Sequence, residues 1–407
     1  MTPYRTPLLP SPGNILPGLL LVTTLLVTSA WCASGPKTPD YDLLNRNGWD
    51  HFYSLEYDQA IDDFQQVVKA RPDDASALNH LLDAILYSEL YKYNALDTGL
   101  YAKQGFLTSK QVPLSTSTKS HIKELADRAM SLSENRLKSD PNDVQALYNR
   151  GTTEGIRATY LVIVEKSWFA GLRSALAARR DHEEVLKRRP DWADAKTVVG
   201  AHQYVVGSLT LPVKAMAGVA GIHGDKKKGL ELLAEAGRAN GETSTDARVA
   251  LALFLRREER YSESLDVVRT LTHDHPRNFL FALEEGNLLH EDGKNSEAAE
   301  SFRKLIVGCK EGKYPNARVE SAELGLGDAL RARGQLQEAF QQYQQAGAVA
   351  SNPETRQRAL LEAGEISDLL SRRDDAVKEY RAAIALDGSS EEADTARKHL
   401  DKPYRGH

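Results

Sequence analysis

A few side chains in this sequence have the type and spacing to do chemistry. His273-Asp274-His275 offers two imidazoles and a carboxylate in a row, the raw material of a metal site. It stands beside Pro276, where a helix should end, and on a continuing helix the two imidazoles would point in different directions. It therefore reads as a solvated turn. Lys226-Lys227-Lys228 could hold an anion at a helix start, and Gly218, Gly221 and Gly224 form a glycine-rich run just before it. A phosphate-cradling loop must follow a strand in a β-α-β unit, and no strand pattern precedes this run. Glu183/Glu184 and Glu284/Glu285 are carboxylate pairs, but a helix turns neighbours apart by about 100°, so neither pair converges by itself. No HExxH occurs, and the Ser/Thr-rich run at 107–119 has only His121 nearby as a base for a hydrolase. The expectation is a protein that is not an enzyme and needs no metal and no cofactor.

Composition points the same way. The chain has 407 residues, room for a large core or a long array, and a net charge of −5. A mildly acidic balance argues against a nucleic-acid partner, which would want a basic face. Cys32 and Cys309 are the two cysteines, too few for a disulfide framework or a cysteine-rich metal site. The N-terminus reads as a signal peptide over residues 1–33: Arg5 gives the positive start, 15–27 the apolar stretch, and Thr28-Ser29-Ala30 small residues for cleavage. The alternative is an uncleaved N-terminal anchor giving membrane association. Lipoprotein processing at Cys32 is disfavoured by the bulky Trp31 before it. In either case the rest of the chain is expected outside the cytoplasm. Residues 34–40 read as a short linker.

The elements that must position any site are set by small residues at repeated spacings. Gly48/Ala60/Phe64, Gly286/Ala298/Phe302, Gly327/Ala339/Tyr343 and Gly364/Ala376/Tyr380 share one interval, twelve then four. Two antiparallel helices approach closely only where side chains are small, and a large apolar residue fills the space beside them. Ala60 to Pro72, Ala129 to Pro141, Ala178 to Pro190 and Ser264 to Pro276 are each twelve apart. Pro141 to Gly151, Pro190 to Gly200 and Pro276 to Gly286 are each ten apart. Together these intervals make the 34-residue period of helical-hairpin repeats.

The pattern over residues 41–400 resembles the tetratricopeptide repeat family, most clearly at 57–72 and 261–302. It departs from it where Gly229 replaces the small alanine and where Gly241 and Gly388 replace proline. The resemblance implies an all-α, right-handed superhelical solenoid of about eight hairpins with a C-terminal capping helix. Residues 41–242 form irregular repeats with insertions, 243–390 regular repeats, and 391–407 the capping helix and tail. Three stretches break the period. Residues 75–106 read as one long tyrosine-rich helix, followed by a polar loop at 107–119 and a second helix from 120. Residues 156–172 read as a buried helix. Residues 209–222 are apolar with Pro212, and lead to a helix start capped by Asp225. This central part resembles a subfamily found in bacterial envelope proteins and mitochondrial outer-membrane proteins, which implies a scaffold near a membrane. A turn-rich insertion is expected at 308–315.

Such repeats place the first helix of each hairpin on the concave face. There Asn45, Arg46, Trp49 and Tyr53 lie one to two turns apart, with Tyr148, Asn149 and Thr152, and Asn287 and His290, at matching places in later units. Arginine and asparagine there can hydrogen-bond a peptide. The expected function is a scaffold for a protein or peptide partner. The alternative is a small-ligand-binding component of an envelope transport system, which a deep closed pocket would favour and an open groove would not. The sequence leaves the oligomeric state open.

Overall fold

The computed structural model describes residues 40–99, 111–209 and 223–406. Among these residues there are seventeen α-helices and no strand. They pair into consecutive hairpins: α1 (Tyr41–Tyr53) with α2 (Tyr57–Ala70), α3 (Ala75–Lys92) with α4 (Thr116–Ser139), and α5 (Val144–Thr159) with α6 (Trp168–Arg188). Next come α7 (Ala193–Gly207) with α8 (Lys226–Arg238), α9 (Ser244–Arg257) with α10 (Tyr261–Asp274), and α11 (Phe279–Glu291) with α12 (Asn295–Lys310). The last pairs are α13 (Val319–Ala332) with α14 (Leu336–Val349) and α15 (Pro353–Leu369) with α16 (Arg373–Leu386). A single helix, α17 (Glu391–Asp401), follows them. The chain is an all-α solenoid of hairpins.

The twelve-then-four interval is the lock of each hairpin. A Cβ on Gly48, Gly327 or Gly364 would fall 2.5 Å from the ring of Phe64, Tyr343 or Tyr380, and one on Gly286 would likewise enter the ring of Phe302. Irregular hairpins keep the lock with other residues. His182, four after Ala178, fills the space beside Gly151; Leu233, four after Gly229, fills the space beside Gly200. In α9–α10 the hydroxyl of Ser264 donates to the Ala252 carbonyl at 2.8 Å, so serine serves as the small residue by satisfying its own polar atom.

Turn chemistry sets the helix ends. Leu55, Asn94, Glu259, Gly293, Gly312, Gly334 and Ser371 all have positive φ, just past α1, α3, α9, α11, α12, α13 and α15. The next N–H reaches back to the last turn each time, as in Glu56 to His51 at 2.9 Å and Arg372 to Ser367 at 2.8 Å. This is the left-handed helix stop of the Schellman type, which satisfies otherwise orphaned carbonyls. Three of the four helices that follow a proline exit start differently. Asp74, Asp143 and Asn278, each two residues after a proline, accept N–H groups of α3, α5 and α11 through their side chains. Asp225 caps α8 in the same way, accepting from Lys228 N at 3.0 Å.

Several expectations need correction. The helix from Ala75 ends at Lys92, where Asn94 takes φ 59°, instead of running to 106. The helix expected from residue 120 begins at Thr116, where Ser115 caps it. Residues 156–172 are not one buried helix. They complete α5, pass through a π-helical turn (Tyr160–Val164) and a reversal at Lys166 with φ 52°, and begin α6. Their apolar side chains are mostly half-buried, and Phe169 is 86% exposed. The insertion expected at 308 begins after Lys310, because Gly308 is still helical and buried where a Cβ would meet the Tyr314 ring. Residues 1–33, nearly all of the linker, residues 100–110 and residues 210–222 lie outside the described residues. No helix among the described residues is long and apolar enough to cross a membrane.

α17 covers the last apolar face, with Ala396 packed on Tyr380, Ala383 and Leu361. The tail then folds back. Tyr404 N–H donates to Asp368 at 2.9 Å, and its hydroxyl meets Arg331 at 2.6 Å.

The solenoid also returns on itself. Arg277, between α10 and α11, bridges Asp50 at 2.9 Å, Ser54 at 3.0 Å and Glu56 at 3.1 Å. Asn278 donates to the Tyr53 carbonyl at 2.7 Å, and Asn316 to the Leu55 carbonyl at 3.1 Å. Tyr91 donates to the Asn316 carbonyl at 2.6 Å. At the far edge Trp49 Nε1 donates to Glu242 at 2.8 Å and Tyr53 to Asp246 at 3.0 Å. The first hairpin thus closes a ring against α9 and the segments before α11 and α13.

Candidate functional site

Closing the ring turns the concave face into a lumen. The first helices α1, α3, α5, α7, α9 and α11 all contribute to the wall of one cavity of about 660 Å³. Most of the wall is apolar, including Phe52, Ile156, Val198, Ala201, Leu253 and Phe281. Leu172 and Val205 line it at a side that is also exposed, at 46% and 49%. These two residues, from α6 and α7, form an apolar lip. Phe169 lies one helical turn before Leu172 on α6.

The wall's ionisable groups are unusual in sign. Asp83, Asp97, Asp194, Asp246 and Glu284 line it together with His182 and His202, and among the described residues no lysine or arginine does. Three acids have structural partners. Asp194 accepts from Thr243 N at 2.9 Å, Asp97 from Gly99 N at 2.8 Å, and Glu284 from Arg256 at 2.9 Å and Thr98 at 2.6 Å. Asp246 accepts from Tyr53. Asp83, in the middle of α3, takes no hydrogen bond or ion pair among the described residues.

The carboxyls respond to that setting. Asp83 is pushed well above the usual carboxylate range by the low-dielectric wall, then by Asp246 and Glu242. Asp246 is open to the lumen but enclosed by protein. It is raised to about 7, chiefly by desolvation, against the Tyr53 hydrogen bond and with Glu242 and Asp194 adding to the rise. Burial lowers His202 to about 4 and keeps it neutral. Both of its ring nitrogens are buried without a partner. Glu242 is the contrast. Desolvation pushes it up, but hydrogen bonds from His80 and Trp49 outweigh that and hold it below its usual range.

The sequence candidates separate into groups. Tyr53, Tyr148 and Asn287 line the lumen, as does Thr152. Tyr148 is buried and stacks on Trp192 with ring centres 5.1 Å apart. Asn45 and Trp49 support the ring closure, with Asn45 on His80 at 2.7 Å and His80 on Glu242 at 2.7 Å. Asn149 is buried beside Gln145 and lines a separate, open depression with Arg71 and Arg136. His290 bonds Asn295 at 2.6 Å on its own hairpin, and Arg46 is exposed. His273 and His275 diverge, one to Asp274 at 3.1 Å and the other to Thr245 at 3.0 Å. Lys226 pairs with Glu258 at 2.7 Å. Asp83, His202 and Asp246 were missed. The one available signal was Asp83 itself, the only charge in the apolar run 77–88 of α3.

Residues 45–89 and 249–318 match the family model described as Tetratricopeptide repeat. These two segments are therefore tetratricopeptide repeats, helical scaffold units that serve protein–protein interaction. No curated protein matches the chain. Among solved structures it is similar to Pseudomonas aeruginosa PilF, with 17% identity over 65% of this chain and 100% of that one and a TM-score of 0.40. It is also similar to yeast Tom70, with 10% identity over 89% and 88% and a TM-score of 0.41. The human IFIT1 dimer with PPP-AAAA gives 14% identity over 89% and 86% and a TM-score of 0.41. Likeness at this level says nothing of ligand or compartment.

Proposed function

We propose that this chain is a non-enzymatic, extracytoplasmic scaffold that holds its ligand inside the closed ring. One observation carries the reading: six first helices, the partner-facing elements of such repeats, line one mostly apolar, half-open cavity. Its volume of about 660 Å³ lies within the ~300–1,000 Å³ usual for small-molecule sites. This supports the small-ligand reading. The extracytoplasmic setting rests on Arg5, the apolar stretch 15–27 and Thr28-Ser29-Ala30. A second reading rests on the exposed lip of Leu172 and Val205, which suits an apolar segment of a partner protein entering the cavity.

Native mass spectrometry of the protein purified from its envelope, joined to site-specific photo-crosslinking, tests both. A bound small molecule that is lost in Ala175→Trp, which fills the lumen wall, supports the first. A protein adduct from a crosslinker at Leu172, absent from one at the outward-facing Arg381, supports the second. Species that are indifferent to Ala175→Trp and equal at Leu172 and Arg381 would rule out the lumen as the site.

A further inference from the structure

We propose that the lumen selects an apolar small molecule carrying one cationic group, an aliphatic amine or guanidinium, which docks between Asp83 of α3 and Asp246 of α9. The inference rests on the lumen being the binding site and adds the chemistry of the occupant.

Three observations on different elements lead to it. The wall is apolar apart from a set of groups that carry negative charge or none, with no lysine or arginine among the described lining residues. An anionic ligand would find no counter-charge there. Of the five lining acids, Asp97, Asp194 and Glu284 are committed to Gly99, Thr243 and Arg256, whereas Asp246 has only a tyrosine hydroxyl and Asp83 has nothing. An unpaired carboxylate set in apolar surroundings is unfavourable unless it takes up a proton or gains a cation. Lastly, the ring nitrogens of His202 are shielded and unpartnered, on the α7 part of the same wall. A neutral imidazole can accept a hydrogen bond from an ammonium, but it adds no opposing charge.

The neighbouring cations are already paired: Arg179, which helps keep His202 neutral, bonds Glu183 at 2.8 Å, and Arg256 is held by Glu284 at 2.9 Å and Glu291 at 2.7 Å. His182 is buried and kept neutral by desolvation, with its Nδ1 engaged by the Ala178 carbonyl. Glu242 is tied to His80 and Trp49 at the ring closure. Tyr53, Tyr57, Tyr87 and Tyr148 present rings to the lumen, and an ammonium can lie over such faces.

Two carboxyls raised by their setting bind a cation best once ionised. Aliphatic amines keep their proton until roughly pH 10. Affinity for the amine should therefore rise with pH between 5.5 and 8, while affinity for a neutral analogue should not change.

The test is displacement of Nile red, a neutral apolar dye, from the purified protein by dodecylamine, dodecanol and dodecanoate. The expected result is dodecylamine at least tenfold stronger than dodecanol at pH 8, dodecanoate weakest, and an amine preference that shrinks at pH 5.5. Asp83→Asn should cut the preference to about twofold while dye and dodecanol still bind, which shows that the variant folds. Asp246→Asn is the second variant, with Tyr53→Phe as its control for the lost hydroxyl contact. Dye uptake with equal displacement by all three compounds would overturn the proposal and leave the lumen reading intact. Failure of Nile red to bind, or binding unaffected by Ala175→Trp, would instead remove the lumen reading itself. A peptide with lysine between leucines, displacing dye better than its norleucine counterpart while the dodecyl compounds show no preference, would overturn the small-amine assignment in favour of a protein segment.

Discussion

At the scale of single residues, two kinds of glycine hold this fold, and they answer to different physics. Gly286 has ordinary helical φ but no room, because an added methyl would enter the Phe302 ring. Gly293 has open space on every side but sits at φ 75°. Gly286→Ala should destabilise by about 1–3 kcal/mol through overpacking. Gly293→Ala should cost about 1–2 kcal/mol through backbone strain alone. The two separate when the partner is trimmed. With Phe302→Leu as background, Gly286→Ala should cost clearly less than in the parent, whereas Gly293→Ala should cost the same. A denaturant double-mutant cycle measures both, and equal coupling for the two glycines would sink this account of the hairpin lock.

At the scale of elements, the same left-handed stop recurs seven times among the described residues, but only the copies at Gly293, Gly312 and Gly334 use glycine. Glu259 and Ser371 occupy it at φ 57° and 60° with the same backbone bonds to the preceding turn. Glu259→Gly and Ser371→Gly should each stabilise by about 0.5–1 kcal/mol, relief of left-handed strain exceeding the entropy that glycine adds to the unfolded chain. A lower denaturation midpoint for both would contradict this. The hairpins themselves were legible in sequence because their lock is local: a glycine, an alanine twelve later and an aromatic four after that meet across one turn. The helix from Ala75 was not, because an apolar pattern alone could not show that Asn94 would turn the chain. Residues 156–172 misled for a related reason. Their apolar character read as core, yet α6 brings Leu172 to the lip of a lumen, where an apolar residue can be exposed and still face a ligand. Of the nine residues chosen from the concave-face argument, Tyr53, Tyr148, Thr152 and Asn287 reach the lumen, since the argument located the right helices but not the turn of each that faces inward.

At the scale of the whole described chain, the decisive event is the ring closure, and nothing in a repeat pattern announces it. Its bonds join residues far apart in sequence, 193 positions for Tyr53 and Asp246 and 261 for Asn316 and Leu55. A 34-residue ruler reports only neighbours. Closure also explains why the lumen acids escaped notice, because Asp83 and Asp246 belong to hairpins that are distant in sequence. If closure creates the lumen, opening it should abolish ligand uptake without unfolding the solenoid. Arg277→Ala with Asn316→Ala removes the bridges to Asp50, Ser54, Glu56 and the Leu55 carbonyl while leaving every hairpin lock in place. Arg277 is 42% exposed on its side chain, so screening should keep the global loss below about 2 kcal/mol. Local effects should be larger. Amide exchange in α1 and α2 should accelerate at least tenfold, exchange in α13 to α16 should stay unchanged, and the radius of gyration in solution should grow as Nile red uptake falls. Uniformly faster exchange in all helices would mean that the bridges serve overall stability and that the ring has no separate existence. Unchanged dye uptake alongside faster α1 exchange would mean that the cavity does not depend on closure. Either result would return the binding surface to an open concave face, and with it the peptide-scaffold reading in its simplest form.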